Sequence, residues 1–391
     1  MTDDRQFDIA LFGATGFTGA LTAEYLAANA PEATRWALVG RNAAKLEGVR
    51  DGLAAGHPAT AELELLEADV TDASSIREVA ERARVVITTV GPYLKYGEPL
   101  VAACAEAGTD YVDLTGEPEF VDLMYIRHNA RAAETGARIV HACGFDSIPH
   151  DLGAYFTVKR LPEDAPMRIE GFVRAGGTFS GGTLHSAVTQ FSRFREYSKT
   201  AAERKRMEPR PADRTVSGIR GRPKHAPSGA GWALPMPTID PQVVCRSARA
   251  LERYGPDFSY GHYAVVKHLP AAVGLPVGIA GVFAMAQLPP TRKWLLGRRA
   301  PGEGPTTEQR AKGWFKVRFV GEGGGKRVVT EVAGGDPGYG ETAKMLAESA
   351  LCLAHDELPS TAGQVTTATA MGDALTERLE AAEVTFSVLE G

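Results

Sequence analysis

Asp8-Ile9-Ala10-Leu11-Phe12-Gly13-Ala14-Thr15-Gly16-Phe17-Thr18-Gly19 decides how the chain folds. An apolar run of strand length passes directly into three glycines spaced GxxGxxG. A helix-period segment, Gly19–Ala28, begins where the glycines end. Such a strand-to-helix turn needs glycine for tightness, for close approach of backbone to a ligand and for packing of helix on strand. A helix N-terminus also offers free N–H groups and the positive end of the helix dipole. The stretch therefore predicts a cradle for a dinucleotide pyrophosphate, built from Gly13, Ala14, Thr15, Gly16, Phe17, Thr18 and Gly19. A plain βα turn would share the small residues; the strand before and the helix after favour the cradle.

Outward from this loop, short apolar runs alternate with helix-length segments up to about residue 150. Strands are expected at Asp8–Phe12, Trp36–Val39, Leu63–Leu66, Val85–Val90, Tyr111–Leu114 and Arg138–His141. That alternation predicts βαβ units and a parallel sheet covered on both faces, an α/β Rossmann (doubly wound) domain. After Pro149 the character changes. A strand at Arg168–Val173, a glycine-rich turn at Ala175–Gly182 and a helix from Leu184 are expected, then a hairpin from Trp314–Val320 to Arg327–Val332. Helices at Glu341–His355 and Asp373–Ala382 and a strand at Val384–Leu389 close the chain.

Composition agrees with a globular chain of more than one domain: 391 residues, 44% hydrophobic and 23% charged. A net charge of −5 gives no sign of nucleic-acid binding. The four cysteines lie far apart, with no CxxC and no histidine at metal-ligand spacing, so reduced thiols are expected and no metal. Acidic residues flank the first strand, which is unlike a signal peptide, and a cytoplasmic location is expected.

The second strand settles which dinucleotide. A carboxylate at its end would take the ribose hydroxyls and repel a 2′-phosphate. Here it ends in Gly40-Arg41-Asn42. Arg41 offers a planar fork of donors suited to a phosphate, so NADP(H) is expected. Asp69, ending the third strand, is placed to reach the adenine edge or to cap the next turn.

Three further runs end successive strands: Val90-Gly91-Pro92-Tyr93, Asp113-Leu114-Thr115-Gly116-Glu117 and Gly144-Phe145-Asp146-Ser147-Ile148-Pro149. With Leu38-Val39-Gly40-Arg41 and Gly334-Gly335-Asp336-Pro337-Gly338-Tyr339, they resemble the saccharopine dehydrogenase-like oxidoreductases, in particular the trans-acting enoyl reductase branch. The resemblance spans nearly the whole chain. It implies a Rossmann domain (1–150), an inserted α+β domain for substrate and dimer contacts (151–337), and a C-terminal helical segment (338–391) returning to the first domain. It further implies reduction of an activated double bond in a polyketide or fatty-acyl chain delivered by a synthase. All three runs sit at carboxyl ends of parallel strands, where open α/β sheets bind ligands. Val90, Gly91, Pro92, Gly116 and Gly144 are accordingly expected along the cofactor.

Enoyl reduction needs a hydride, donors for the enolate oxygen and a proton. Tyr93, Tyr96, Asp146 and His185 are the expected catalytic side chains, with Lys95, Ser147, His150 and Ser180 as neighbours. Tyr155 and Lys159 fit the YxxxK pattern of short-chain dehydrogenases, but no serine-bearing strand end lies about a dozen residues upstream. Between Arg193 and Lys224, 11 Lys/Arg stand against 4 Asp/Glu, which reads either as a solvated face or as a docking face for an acidic carrier protein. Ala271–Leu288 is apolar, with glycines and a proline that weaken a membrane span. Core packing, an acyl contact or a membrane-surface contact through 271–299 are the readings left for it. Two other functions stay open: reduction of an imine or secondary amine, and NADP binding without catalysis.

Overall fold

The computed structural model describes residues 5–176, 192–227, 229, 231–236, 238–288, 290–291 and 304–391. The first sheet is made of β1 (Phe7–Phe12), β2 (Trp36–Gly40), β3 (Glu64–Glu67), β4 (Ala83–Thr88), β5 (Asp110–Asp113) and β6 (Arg138–Val140). The connecting helices are α1 (Phe17–Asn29), α2 (Ala43–Gly56), α3 (Ala73–Arg82), α4 (Tyr93–Tyr96), α5 (Glu98–Ala107) and α6 (Pro118–Thr135). After β6, α7 (Ile148–Val158) leads to β7 (Met167–Gly176). Then come α8 (Phe194–Met207), β8 (Thr215–Gly218), β9 (Lys224–His225), β10 (Trp232–Pro235), α9 (Asp240–Ala250), β11 (Asp257–Val266) and α10 (Leu269–Gln287). The chain ends with α11 (Thr307–Arg310), β12 (Trp314–Gly323), β13 (Lys326–Gly334), α12 (Gly340–His355), β14 (Gly363–Val365), α13 (Thr367–Ala370), α14 (Gly372–Ala381) and β15 (Thr385–Glu390).

The first sheet runs β14-β6-β5-β4-β1-β2-β3, every pairing parallel. Its order reverses between β1 and β4, so the crevice at that switch point opens over the carboxyl ends of these strands. Period-two alternation in β1 sends Ile9 and Leu11 to one face and Ala10 and Phe12 to the other. Both faces are buried, which is why the strand reads as a continuous apolar run. On the Ile9 face lie α1 and α12, where Tyr25 donates to Glu348 at 2.7 Å. On the other face α3, α5 and α6 pack.

The second sheet runs β15-β13-β12-β7-β11-β10-β9, with β8 pairing β11. The expected hairpin is present, longer by three residues on its first strand and turning at Gly324–Gly325. Helix α7 crosses from one sheet to the other. A Cβ on Gly153 would lie 2.3 Å from the Phe319 ring of β12, so only glycine lets this helix seat so closely. The buried Asp151 carboxylate ties the junction together. It accepts from Ser247 Oγ at 2.5 Å, Thr367 Oγ1 at 2.7 Å and the Ala368 N–H at 2.8 Å.

Residues 338–391 supply a strand to each sheet: β15, close to the expected strand at Val384–Leu389, pairs with β13, and β14, which was not expected, extends the first sheet. Gly363–Val365 is only three residues long and has no apolar run to announce it.

Candidate active site

The glycine loop has the geometry the cradle needs. Gly13 has φ +86°, and a Cβ there would lie 2.6 Å from Thr89 Oγ1. A Cβ on Gly19 would lie 2.0 Å from the Gly13 carbonyl oxygen, so the first turn of α1 folds back tightly on the end of β1. Thr89, just past β4, donates to the Gly13 carbonyl at 3.2 Å and pins the loop across the switch point. Ala14 is buried, Thr15 and Gly16 are exposed, and Phe17 and Thr18 are half-buried. The first-turn amides of α1 have no carbonyl a turn earlier to bond and stay available to an anion. These features fit a dinucleotide pyrophosphate.

Phe17 is held from the second domain. Its ring meets Tyr339 edge-on at 4.9 Å, lies under the Arg310 guanidinium at 5.6 Å, and leaves no room for a Cβ on Gly304. The run 334–339 accounts for part of this. The Asp336 carboxylate accepts from the Tyr339 and Gly340 N–H groups at 3.2 and 3.1 Å, which fixes the entry to α12 and aims Tyr339 at the loop. Arg310, a cation beside the pyrophosphate cradle, carries no signal in the sequence because only the tertiary fold brings it there.

At the end of β2, Gly40 sits against Leu46, whose Cδ2 would be 3.3 Å from an added Cβ. Arg41 is exposed at the crevice mouth. Asn42 caps α2 by accepting from the Lys45 N–H at 2.9 Å. Asp69 takes the capping alternative: it accepts from the Thr71 N–H and hydroxyl at 2.9 and 2.8 Å, and these bonds hold its carboxyl below the ordinary range.

The later strand ends divide into scaffold and cleft. Asp113 is fully buried and accepts from Tyr111, His141, Thr115 and Ala142, binding the end of β5 to the end of β6. Glu117 accepts from the Tyr93 and Leu94 N–H groups at 3.2 and 2.9 Å and so anchors α4. Val90 is half-buried, while Gly91 and Pro92, joined by a cis peptide bond, are exposed at the crevice. Gly144 is walled by Leu114 and Thr342, and Thr342 Oγ1 accepts from the Phe145 N–H at 3.1 Å.

Tyr93, expected as the hydroxyl donor, turns into the core instead. Its hydroxyl donates to the Thr88 carbonyl at 3.0 Å and accepts from the Leu114 N–H at 3.2 Å. Both partners are backbone groups at the strand ends, so this phenol fastens β4 to β5. Tyr96 is half-buried beside Lys95, whose ammonium stands 4.7 Å from its ring. Asp146 is exposed, just before α7. It leaves only 2.9 Å to a Cβ built on Gly116, and desolvation raises its pKa. His185 and Ser180 lie outside the described residues.

Lys159 of the YxxxK pair bonds both oxygens of Asp373 at 2.7 and 2.6 Å, on the C-terminal helix and away from the glycine loop. Tyr155 is packed beside Tyr254, so the pair is structural. The basic stretch also divides. Arg193 pairs with Glu119, Arg204 is buried among Asp122, Glu208 and Gln364, Arg214 caps the carbonyls ending α9, and Lys224 pairs with Glu170. Arg195, Lys199, Lys205, Arg206, Arg210, Arg220 and Arg222 remain exposed. In α10, Ala286 is buried, but Phe283 and the following Leu288 are 37% and 58% exposed, so core packing does not describe its C-terminal part. Among the described residues no helix is long and apolar enough to cross a membrane.

One cluster had no sequence signature. His150 of α7, Asp240 of α9 and His262 of β11 converge between the sheets, all buried. His150 was read only as a neighbour of the site, and the other two not at all. Nothing local marks residues brought together by three elements so far apart in the chain.

The family described as saccharopine dehydrogenase NADP binding domain matches residues 9–140. A Mycobacterium tuberculosis protein provisionally named a trans-acting enoyl reductase is 39% identical over 416 residues, covering 98% of this chain and 97% of that one. A Mycobacterium ulcerans protein named a trans-acting enoyl reductase is 36% identical over 419 residues, covering 98% of each. The saccharopine dehydrogenase (L-Glu forming) of Saccharomyces cerevisiae shares the fold, with a TM-score of 0.56 at 12% identity over 98% of this chain and 100% of that one. A phosphate cradle, a strand end open to a 2′-phosphate and full-length identity to these relatives lead to one conclusion: the chain belongs to the saccharopine dehydrogenase-like, NADP-dependent oxidoreductases, in the branch of the trans-acting enoyl reductases.

Proposed function

We propose that the protein reduces the carbon–carbon double bond of an α,β-unsaturated acyl chain with NADPH, acting in trans on a polyketide or fatty-acyl intermediate carried by a separate synthase. The full-length identity to proteins named trans-acting enoyl reductases carries this reading. Gly13 to Gly19 hold the pyrophosphate through backbone amides, and Arg41 takes the 2′-phosphate. Arg310 adds positive charge from the second domain. When bound, the nicotinamide supplies the hydride.

Asp146 is the group this reading places at the proton-transfer step. Its raised pKa keeps a larger share of the carboxyl protonated, and protonated carboxyls can donate to an enolate or to the carbon beside it. Tyr96 stands at the rim as a second hydroxyl. The exposed cations from Arg195 to Arg222 give an acidic carrier protein a complementary face, and the apolar residues Phe194, Phe283 and Leu288 give an acyl chain a surface to follow.

The test is oxidation of NADPH by an α,β-unsaturated acyl thioester, read as loss of NADPH absorbance with mass analysis of the saturated product. Turnover of an imino-acid substrate in its place, with no thioester reduction, overturns the reading.

A further inference from the structure

His150, Asp240 and His262 are 1%, 2% and 5% exposed and lie at the seam where α7, α9 and β11 meet. His150 Nε2 stands 3.4 Å from Asp240 Oδ1, and His262 Nε2 stands 3.5 Å from Asp240 Oδ2. These spacings are long for charge-assisted hydrogen bonds. Each, to a different oxygen of the carboxylate, is close to the edge of about 3.3 Å expected between donors about 2.0 Å from a zinc ion, and one ligand atom from each of the three residues lies within 4.8 Å of the others. Among the described residues, Asp240 Oδ1, His262 Nε2 and His150 Nδ1 are buried without a hydrogen-bond partner. Leaving such atoms unsatisfied in a buried setting is costly, so a ligand that takes them is favoured.

His262 and Asp240 have outer partners suited to ligation. Tyr260 Oη lies 3.0 Å from His262 Nδ1, so a proton on that nitrogen leaves the Nε2 lone pair facing Asp240. Thr238 Oγ1 donates to Asp240 Oδ2 and fixes the carboxylate. Phe145 packs edge-on against the His150 ring at 5.3 Å and keeps that side dry. The two imidazole rings also pack directly on each other, edge to face with centroids 4.8 Å apart. Neutral imidazoles are the form a metal binds.

We propose that His150, Asp240 and His262 form a binding site for one divalent transition-metal ion of the zinc class, holding together the helix that leaves the first sheet and two elements of the second domain. Two imidazoles and a carboxylate suit such an ion and not a hard cation such as Ca²⁺.

The experiment is equilibrium dialysis of chelator-treated full-length protein against Zn(II), with NADPH binding as the check that the protein is folded. X-ray absorption at the zinc edge then reads the bound ion's neighbours. One ion per chain is expected, in a nitrogen and oxygen shell with imidazole scattering. Asp240→Asn and His262→Gln are expected to weaken zinc at least about 100-fold, and the conservative Tyr260→Phe by about 10- to 100-fold. Folded wild-type protein that takes up no zinc overturns the proposal. So does a sulfur shell, which would place the ion on cysteines, or uptake unchanged in folded variants. If Asp240→Asn and His262→Gln fail to fold, Tyr260→Phe and the wild-type spectrum decide alone.

Discussion

Replacing Arg41 with alanine separates recognition of the 2′-phosphate from recognition of the rest of the cofactor. Arg41 follows β2 as an exposed side chain, and the neighbouring Asp69 is engaged by Thr71. A charge-assisted hydrogen bond is worth about 1.5–3 kcal/mol, and exposure puts this pair at the lower end. About 1.5 kcal/mol corresponds to a roughly tenfold change in affinity. Calorimetric titration of Arg41→Ala should therefore show NADPH binding about tenfold weaker, while NADH binding changes less than about twofold, since NADH has no group for Arg41 to hold. Added salt should weaken NADPH binding by the wild type more than by the variant, because screening acts on the lost contact. Equal weakening of both dinucleotides, or of neither, would refute the assignment of Arg41.

Gly19→Ala places a methyl 2.0 Å from the Gly13 carbonyl oxygen, a backbone atom that cannot swing away, and should weaken both dinucleotides by about 10- to 100-fold in the same titration. Asp146→Asn should lower kcat about 100-fold with NADPH affinity unchanged. In the wild type the rate should fall as pH rises through the elevated Asp146 pKa, and the variant should lose that limb. Asp151→Ala strands the Thr367 hydroxyl and the Ala368 N–H in the core, while Ser247 keeps Val243 and Thr366, and should cost about 3 kcal/mol, read as a lower denaturation midpoint. Glu170 is desolvated, but bonds from Lys224 and Tyr263 outweigh this and hold its pKa below the ordinary value. That pair stabilises the fold above the unfolded-state pKa of glutamate, and its contribution, about 1 kcal/mol or less, disappears as pH falls through the folded value. Lys224→Met should flatten the acid limb of a stability–pH curve.

Local periodicity made the first sheet legible. Its strands are apolar throughout because both faces are covered, and its helices begin at glycines and caps. The glycine turn was legible for a related reason: glycine at 13 and 19 is demanded by atoms within the same turn and its neighbour. What the sequence hid depends on distant partners. Tyr93 follows a Gly-Pro turn at the crevice, yet its hydroxyl direction is set by the Thr88 carbonyl and the Leu114 amide. Asp69 is different: its choice between ligand and cap is local, and its Oδ1 takes both the Thr71 N–H and hydroxyl. Four arginines and lysines of the basic stretch look alike in sequence to the rest, but burial and pairing separate them. Lys224–His225 and Gly363–Val365 are both short and lack an apolar run, so no pattern marks them.

Because β14 enters the first sheet and β15 the second, the last thirty or so residues lace together two bodies that the rest of the chain builds separately. Neither sheet has its full set of strands until this tail has been made, and the crevice between them takes its final shape only then. Removing the tail would leave both sheets with a raw edge at once, so the two domains should melt as one unit and not in sequence.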